Sequence, residues 1–131
     1  MTILPVTLAT GAILALILLV LSARVVMGRF RYGVSLGDGG EADLVCRVRS
    51  QANFIEYVPL VLILMALVEA SDGNRTVLLA TGGVIIAARI AHPIGMPLRA
   101  PNPFRFLGTV GTWLSLLGLS LYGLMLAVPA L

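Results

Sequence analysis

The chain has 131 residues, 59% hydrophobic and 11% charged, with a mean hydropathy of +1.03. A soluble domain of that size has too small a core to hide so much apolar surface, so lipid must be the solvent for most of it, and an ordinary soluble enzyme or binding domain is excluded. The formal charge of +3 rests on nine arginines and no lysine; they are scattered at span ends, which speaks for snorkelling and topology and against a nucleic-acid partner.

The pattern predicts an all-α integral membrane protein. A single domain, 1–131, holds a four-transmembrane-helix bundle with spans at approximately 3–27, 44–70, 75–96 and 104–128. Met1 to Ala23 is free of charge and long enough to cross a bilayer, and Pro5 sits near its start, where a missing N–H is harmless. This stretch has no basic n-region and no Ala-x-Ala-like cleavage site, so it reads as a retained span and not as a signal peptide. Arg24 closes it. A polar loop with Arg29, Arg31 and Gly37-Asp38-Gly39-Gly40 follows; these glycines read as turns, since neither a GxGxxG nor a Walker pattern is present.

Ser71-Asp72-Gly73-Asn74 separates the second span from the third, and Pro93, Pro97, Pro101 and Pro103 mark the end of helix and a rigid loop. From Phe106 onward no charge appears. Gly108, Gly111, Ser115 and Gly118, at spacings of three and four, predict a face of the fourth span that packs closely on another helix. Trp113 and Tyr122 read as interfacial or packing aromatics, and Met65, Met96 and Met125 as packing residues. Arginines crowd the first and third connections (Arg24, Arg29, Arg31, Arg47 and Arg49; Arg99 and Arg105), whereas Arg75 stands alone on the other side. The positive-inside rule then puts both termini outside and the Arg-rich loops in the cytoplasm. Cys46 and His92 are single representatives of their types, so no intrachain disulfide, no cysteine metal site and no metal catalysis is expected.

The second span carries what lipid does not tolerate. Arg49, Asn53 and Glu56 fall at i, i+4 and i+7, a stripe roughly 10 Å long on one helix face. A carboxylate as deep as Glu56 costs at least ~2.5 kcal/mol on insertion scales unless it is paired, so it points either to an internal ion pair or to a ligand. Arg89 on the third span, at similar depth in antiparallel geometry, is the candidate for the pair. Alternating helix directions bring Arg24, Arg49 and Arg105 to the same boundary, around Asn53, Glu56 and Tyr57. Such a pocket suits a small zwitterion or anion: arginines for its carboxylates, Glu56 for an ammonium.

The run Arg49-Ser50-Gln51-Ala52-Asn53-Phe54-Ile55-Glu56-Tyr57-Val58-Pro59-Leu60 resembles the signature of the MAPEG family, the membrane-associated proteins in eicosanoid and glutathione metabolism. Ser22-Ala23-Arg24, Gly37-Asp38-Gly39-Gly40, Ala88-Arg89-Ile90-Ala91-His92-Pro93-Ile94-Gly95 and Arg105-Phe106-Leu107-Gly108-Thr109 fit as well, so the resemblance spans essentially the whole chain. It implies a bacterial-type member, similar to microsomal glutathione transferase, in the inner membrane. It also implies a homotrimer that binds glutathione as co-substrate between subunits near the cytoplasmic face. By position, Arg24, Arg49, Gln51, Asn53, Glu56 and Tyr57 are the implied glutathione contacts, and Arg105 the implied catalytic arginine that stabilises the thiolate.

The implied chemistry is physically sound. A thiol with a pKa of about 8.5 is mostly protonated at neutral pH, and lowering that value by about two units takes some 2.7 kcal/mol of preferential thiolate stabilisation. One guanidinium in a partly dry site is able to supply it. A lipophilic electrophile dissolved in membrane lipid would then be the second substrate of a transferase or peroxidase. Where some members of the family have tyrosines on the third span, this chain has His92 and Met96, which speaks against an eicosanoid-type substrate; His92 either replaces a tyrosine hydrogen bond or, by preference, serves a backbone carbonyl. Two other readings stand beside the enzyme: a non-catalytic MAPEG-like protein that binds lipid or a partner, and a small proton-coupled exporter built on Glu56. The second is disfavoured by a first span without charge before Arg24.

Overall fold

A computed structural model describes residues 4–130, and the regular structure among these is all helical: α1 (Pro5–Tyr32), α2 (Ala42–Ala70), α3 (Arg75–Gly95), α4 (Pro103–Ala127) and a terminal 3-10 turn (Val128–Ala130). All four α-helices are long and apolar enough to cross a membrane. The expected spans are therefore present, except that position 3, the expected start of the first, lies outside the described residues.

Each boundary has a local cause. Pro5 opens α1 at a position where its absent N–H is no loss. The helix does not stop near residue 27, as expected, but continues to Tyr32, where Gly33 takes the left-handed conformation at φ 66° and closes it. Arg29 and Arg31 thus belong to the last turn of α1 and not to a loop; their charges suit the negative end of the helix dipole. α2 begins two residues earlier than expected and has Asp43 in its first turn, favourable for the same reason. Asn74 caps α3, its Oδ1 accepting from the amides of Thr76 and Val77 at 2.9 and 3.2 Å. Asn102 caps α4 by accepting from the Arg105 amide at 2.9 Å, with Pro103 in the first turn. Pro59 and Pro93 lie inside α2 and α3, so Pro93 does not end its helix; in a helix set in lipid, neighbouring groups compensate the backbone bond a proline removes.

The core is a thin apolar column of Leu14, Leu21, Phe54, Val58, Val61, Met65, Leu78, Ile85 and Leu119. Met65 packs there as expected, but Met125 is 71% exposed and takes no part in the core. Leu8, Leu16, Leu19, Ile63, Leu114, Leu117 and many other large apolar residues face outward, an arrangement that is stable in lipid and not in water.

The close approach of α3 and α4 fixes the bundle. A Cβ on Gly108 would lie 2.7 to 2.8 Å from the backbone N, Cα and Cβ of His92, and one on Gly111 would meet Ala88 Cβ at 3.1 Å. At Gly95 a side chain would collide with the Arg105 amide nitrogen. Of the predicted small-residue face, Gly108 and Gly111 make this contact and Ser115 is buried beside it, whereas Gly118 has nothing within 4 Å. At the opposite end, the Glu69 carboxylate accepts from the Val6 and Thr7 amides at 2.9 and 2.7 Å, closing the start of α1 against the end of α2. Tyr122 of α4 accepts from the Asn74 amide at 2.7 Å at that same end.

Candidate functional site

Interhelical bonds set the depth of each site residue. Gln51 donates to Ser22 Oγ at 2.8 Å, and Arg47 donates to the Arg24 carbonyl at 2.9 Å, so α1 around Arg24 runs level with the start of α2. Cys46 Sγ donates to the Met96 carbonyl at 3.6 Å, and Asn102 Nδ2 donates to the Gly95 carbonyl at 3.0 Å. The end of α3 and the start of α4, with Arg105, therefore lie at the same level. Arg24, Arg47, Arg49 and Arg105 share one end of the bundle, as the alternating helix directions predict. Glu56 and Tyr57 lie about 10 Å further into the span, seven and eight residues beyond Arg49 at about 1.5 Å each.

Within that end the residues differ in what they are free to do. Arg47 is structural: its Nε pairs with Asp43 at 2.9 Å, and Tyr32 donates to the same carboxylate at 3.1 Å. Gln51 spends an amide hydrogen on Ser22. Arg49 and Glu56 form only a loose pair at 3.9 Å, with side chains 58% and 49% exposed. Arg105 is exposed and Arg24 and Tyr57 are half-buried.

The expected pairing of Arg89 with Glu56 is not what forms. Arg89 is only 2% exposed. It donates to Asn53 Oδ1 at 2.9 Å and to the Gly108 carbonyl at 3.0 Å. Depth was shared as expected, but the rotation of α2 turns Asn53 toward α3 and leaves Glu56 on the outer face. His92 is buried where α3 meets Gly108, and its ring makes no hydrogen bond among the described residues, so neither role expected for it is seen. Arg89 is thus the residue that the sequence singled out for the wrong partner. The signal that could have found the right one was its i to i+3 neighbour His92 facing the small residues of α4.

The cavities do not gather the site. One of about 580 Å³ lies at the far end, between α2 and α4 (Leu67, Val68, Ser120, Gly123). One of about 420 Å³ flanks Arg29 and Phe30 at the end of α1. Grooves of about 260 and 330 Å³ run along α1 against α2 and α3. Arg24, Arg49, Gln51, Asn53, Glu56, Tyr57 and Arg105 line none of these four. A single copy presents Arg49 and Glu56 on an outer surface; it does not enclose them.

The profile of the MAPEG family matches residues 7–125, nearly the whole described bundle. This chain belongs to the MAPEG family. The MAPEG chain is also similar to inner membrane protein YecN of Escherichia coli strain K12 and to the protein of that name from strain O6:H1. Each is 34% identical over 103 residues, covering 79% of this chain and 78% of the relative. No solved structure matches it. As a MAPEG protein it is an all-α integral membrane protein with four spans. Among the described residues no group of histidine, cysteine and carboxylate side chains has the arrangement to hold a metal ion.

Proposed function

We propose that this MAPEG protein is a membrane-bound glutathione transferase, with glutathione peroxidase as the related activity, working as a homotrimer in an inner membrane. The observation that carries the reading is the exposure of Arg49 and Glu56 on the outer face of a membrane-spanning helix. Charges at that depth are not left against lipid, and a second copy together with a zwitterionic ligand would cover both. Glutathione has the matching chemistry. Its two carboxylates suit Arg24 and Arg49, its ammonium suits Glu56, and its peptide groups suit Gln51, Asn53 and Tyr57.

Arg105 stands at the first turn of α4, at the level of Arg24 and Arg49, with no ion-pair partner among the described residues. Its guanidinium would favour the thiolate over the thiol, the proton passing to water. The sulfur then attacks an electrophile entering from lipid, forming a thioether as the leaving group departs. The proposed orientation, termini outside and Arg-rich end in the cytoplasm, puts the site on the side that the positive-inside rule assigns. The inner-membrane placement is supported by the name of the Escherichia coli relatives.

The test is glutathione-thiolate absorbance of the purified protein, repeated with Arg105→Ala and Glu56→Gln. The expected result is a thiolate band in the parent, its loss in Arg105→Ala, and weakened binding in Glu56→Gln. A parent that neither binds glutathione nor shows the band sinks the reading. Binding without the band makes this instead a non-catalytic lipid- or partner-binding member of the family.

A further inference from the structure

We infer that Arg89 is the positioning residue of this site: it decides which side of the Asn53 amide a ligand meets, and it anchors the turn of α4 that carries Arg105. The inference rests on the glutathione reading proposed above.

Arg89 is among the largest fully buried side chains of the bundle, on a helix face otherwise filled by Ile85, Ala88 and Gly82. An apolar residue would pack there at no electrostatic cost. The guanidinium instead sits in the membrane span without a carboxylate partner among the described residues, its Nε buried and unbonded. Burying a cation in this way is expensive unless its remaining bonds do something an apolar side chain cannot. Those bonds are two, one from each terminal nitrogen, and they run to different helices.

The first bond sets the polarity of the stripe. A guanidinium has donors and no acceptor, so Asn53 must turn its oxygen to it. What the amide then has to offer a ligand is its NH2, and the ligand group opposite must be an acceptor, a carboxylate or a peptide carbonyl. The second bond sets the position of α4. The Gly108 carbonyl lies one turn beyond Arg105 and also accepts from Thr112 Oγ1 at 2.7 Å. With Gly108 pressed on the His92 backbone, α4 is fixed both in approach and in register. One planar fork thereby ties the group that orients the ligand to the helix turn that holds the thiolate-stabilising arginine. A lysine would keep the charge but not the two-ended bridge.

Two variants separate this role from general stability. Asn53→Asp keeps an acceptor for Arg89 and compensates its charge, so it assembles and melts at least as high as the parent. It removes the NH2, so glutathione affinity by equilibrium dialysis falls about ten-fold or more. Arg89→Lys is read beside Asn53→Ala and their double variant. Each single change weakens binding about ten-fold, and the double is no weaker than either, because both remove the same oriented donor. The thiolate absorbance per bound glutathione drops in Arg89→Lys and not in Asn53→Ala, since only the former loosens α4.

Parent-like affinity in Asn53→Asp overturns the inference, as does a double variant weakened about a hundred-fold, the product of independent losses. Should Arg89→Lys fail to assemble, Asn53→Asp alone decides. A parent that binds no glutathione overturns the proposed function and this inference with it; a parent that binds while both Asn53→Asp and Arg89→Lys bind as well overturns this inference alone.

Discussion

Replacing Glu69 by alanine should loosen the bundle at the end remote from the site. The first amides of an α-helix lack partners within the helix. In α1 Pro5 has none to satisfy, the Val6 and Thr7 amides donate to the two oxygens of Glu69, and the Leu8 amide already reaches the Leu4 carbonyl at 2.9 Å. One carboxylate from α2 therefore meets the whole need of that terminus and faces the positive end of its dipole. Two charge-assisted bonds in a buried setting would contribute about 1.5–3 kcal/mol each. Here the carboxylate is only part-buried near the membrane surface, so solvent screening brings the sum closer to the range of an N-cap, about 1–2 kcal/mol. Denaturation of the detergent-solubilised protein should show Glu69→Ala unfolding several degrees earlier, with faster hydrogen exchange at Val6 and Thr7. Glu69→Gln, which keeps one acceptor, should fall between. An unchanged midpoint together with unchanged exchange at those two amides would refute the reasoning.

Other outcomes follow from the same contacts. Gly108→Leu should separate α3 from α4 and abolish assembly, since even a Cβ there lies 2.7 Å from His92; a parent-like elution profile would contradict the packing. Gly83→Ala and Gly118→Ala, in open space within their helices, should each raise stability by about 0.5–1 kcal/mol; a loss at either would show that another copy packs on that face. Tyr122→Phe should cost about 1 kcal/mol by leaving the Asn74 amide without its partner, measurable as an earlier midpoint.

The number and order of the helices were legible because lipid imposes long apolar runs with charges at their limits. Their ends were less so. Arg29 and Arg31 read as loop if charge marks the limit of a helix, yet a helix can carry arginines beyond the bilayer and stops only where Gly33 breaks it. The depth of Arg89 was legible from antiparallel order; its partner was not, because depth says nothing of the rotation that turns Asn53 inward and leaves Glu56 outside. Nothing in the local sequence singles out Glu69. Its role depends on amides 62 and 63 residues earlier in the chain, and no local pattern points across that distance. The grouping of Arg24, Arg49 and Arg105 at one end, by contrast, followed directly from alternating helix directions.

The unequal helices divide the molecule between two media. α1 and α2 have 28 and 29 residues, roughly 42 and 44 Å, against 21 residues and roughly 32 Å for α3. Because Glu69 holds α1 and α2 flush at the far end, their surplus length stands up at the arginine end, with α1 running eight residues past Arg24. That rim reaches out of a hydrocarbon layer about 30 Å thick and gives the arginines a wall with water on one side and acyl chains on the other. On the proposed function, a charged tripeptide would arrive over the top without ever partitioning into lipid, and an oily reaction partner would slide in sideways without ever leaving it. The place where the two would meet is the phase boundary itself.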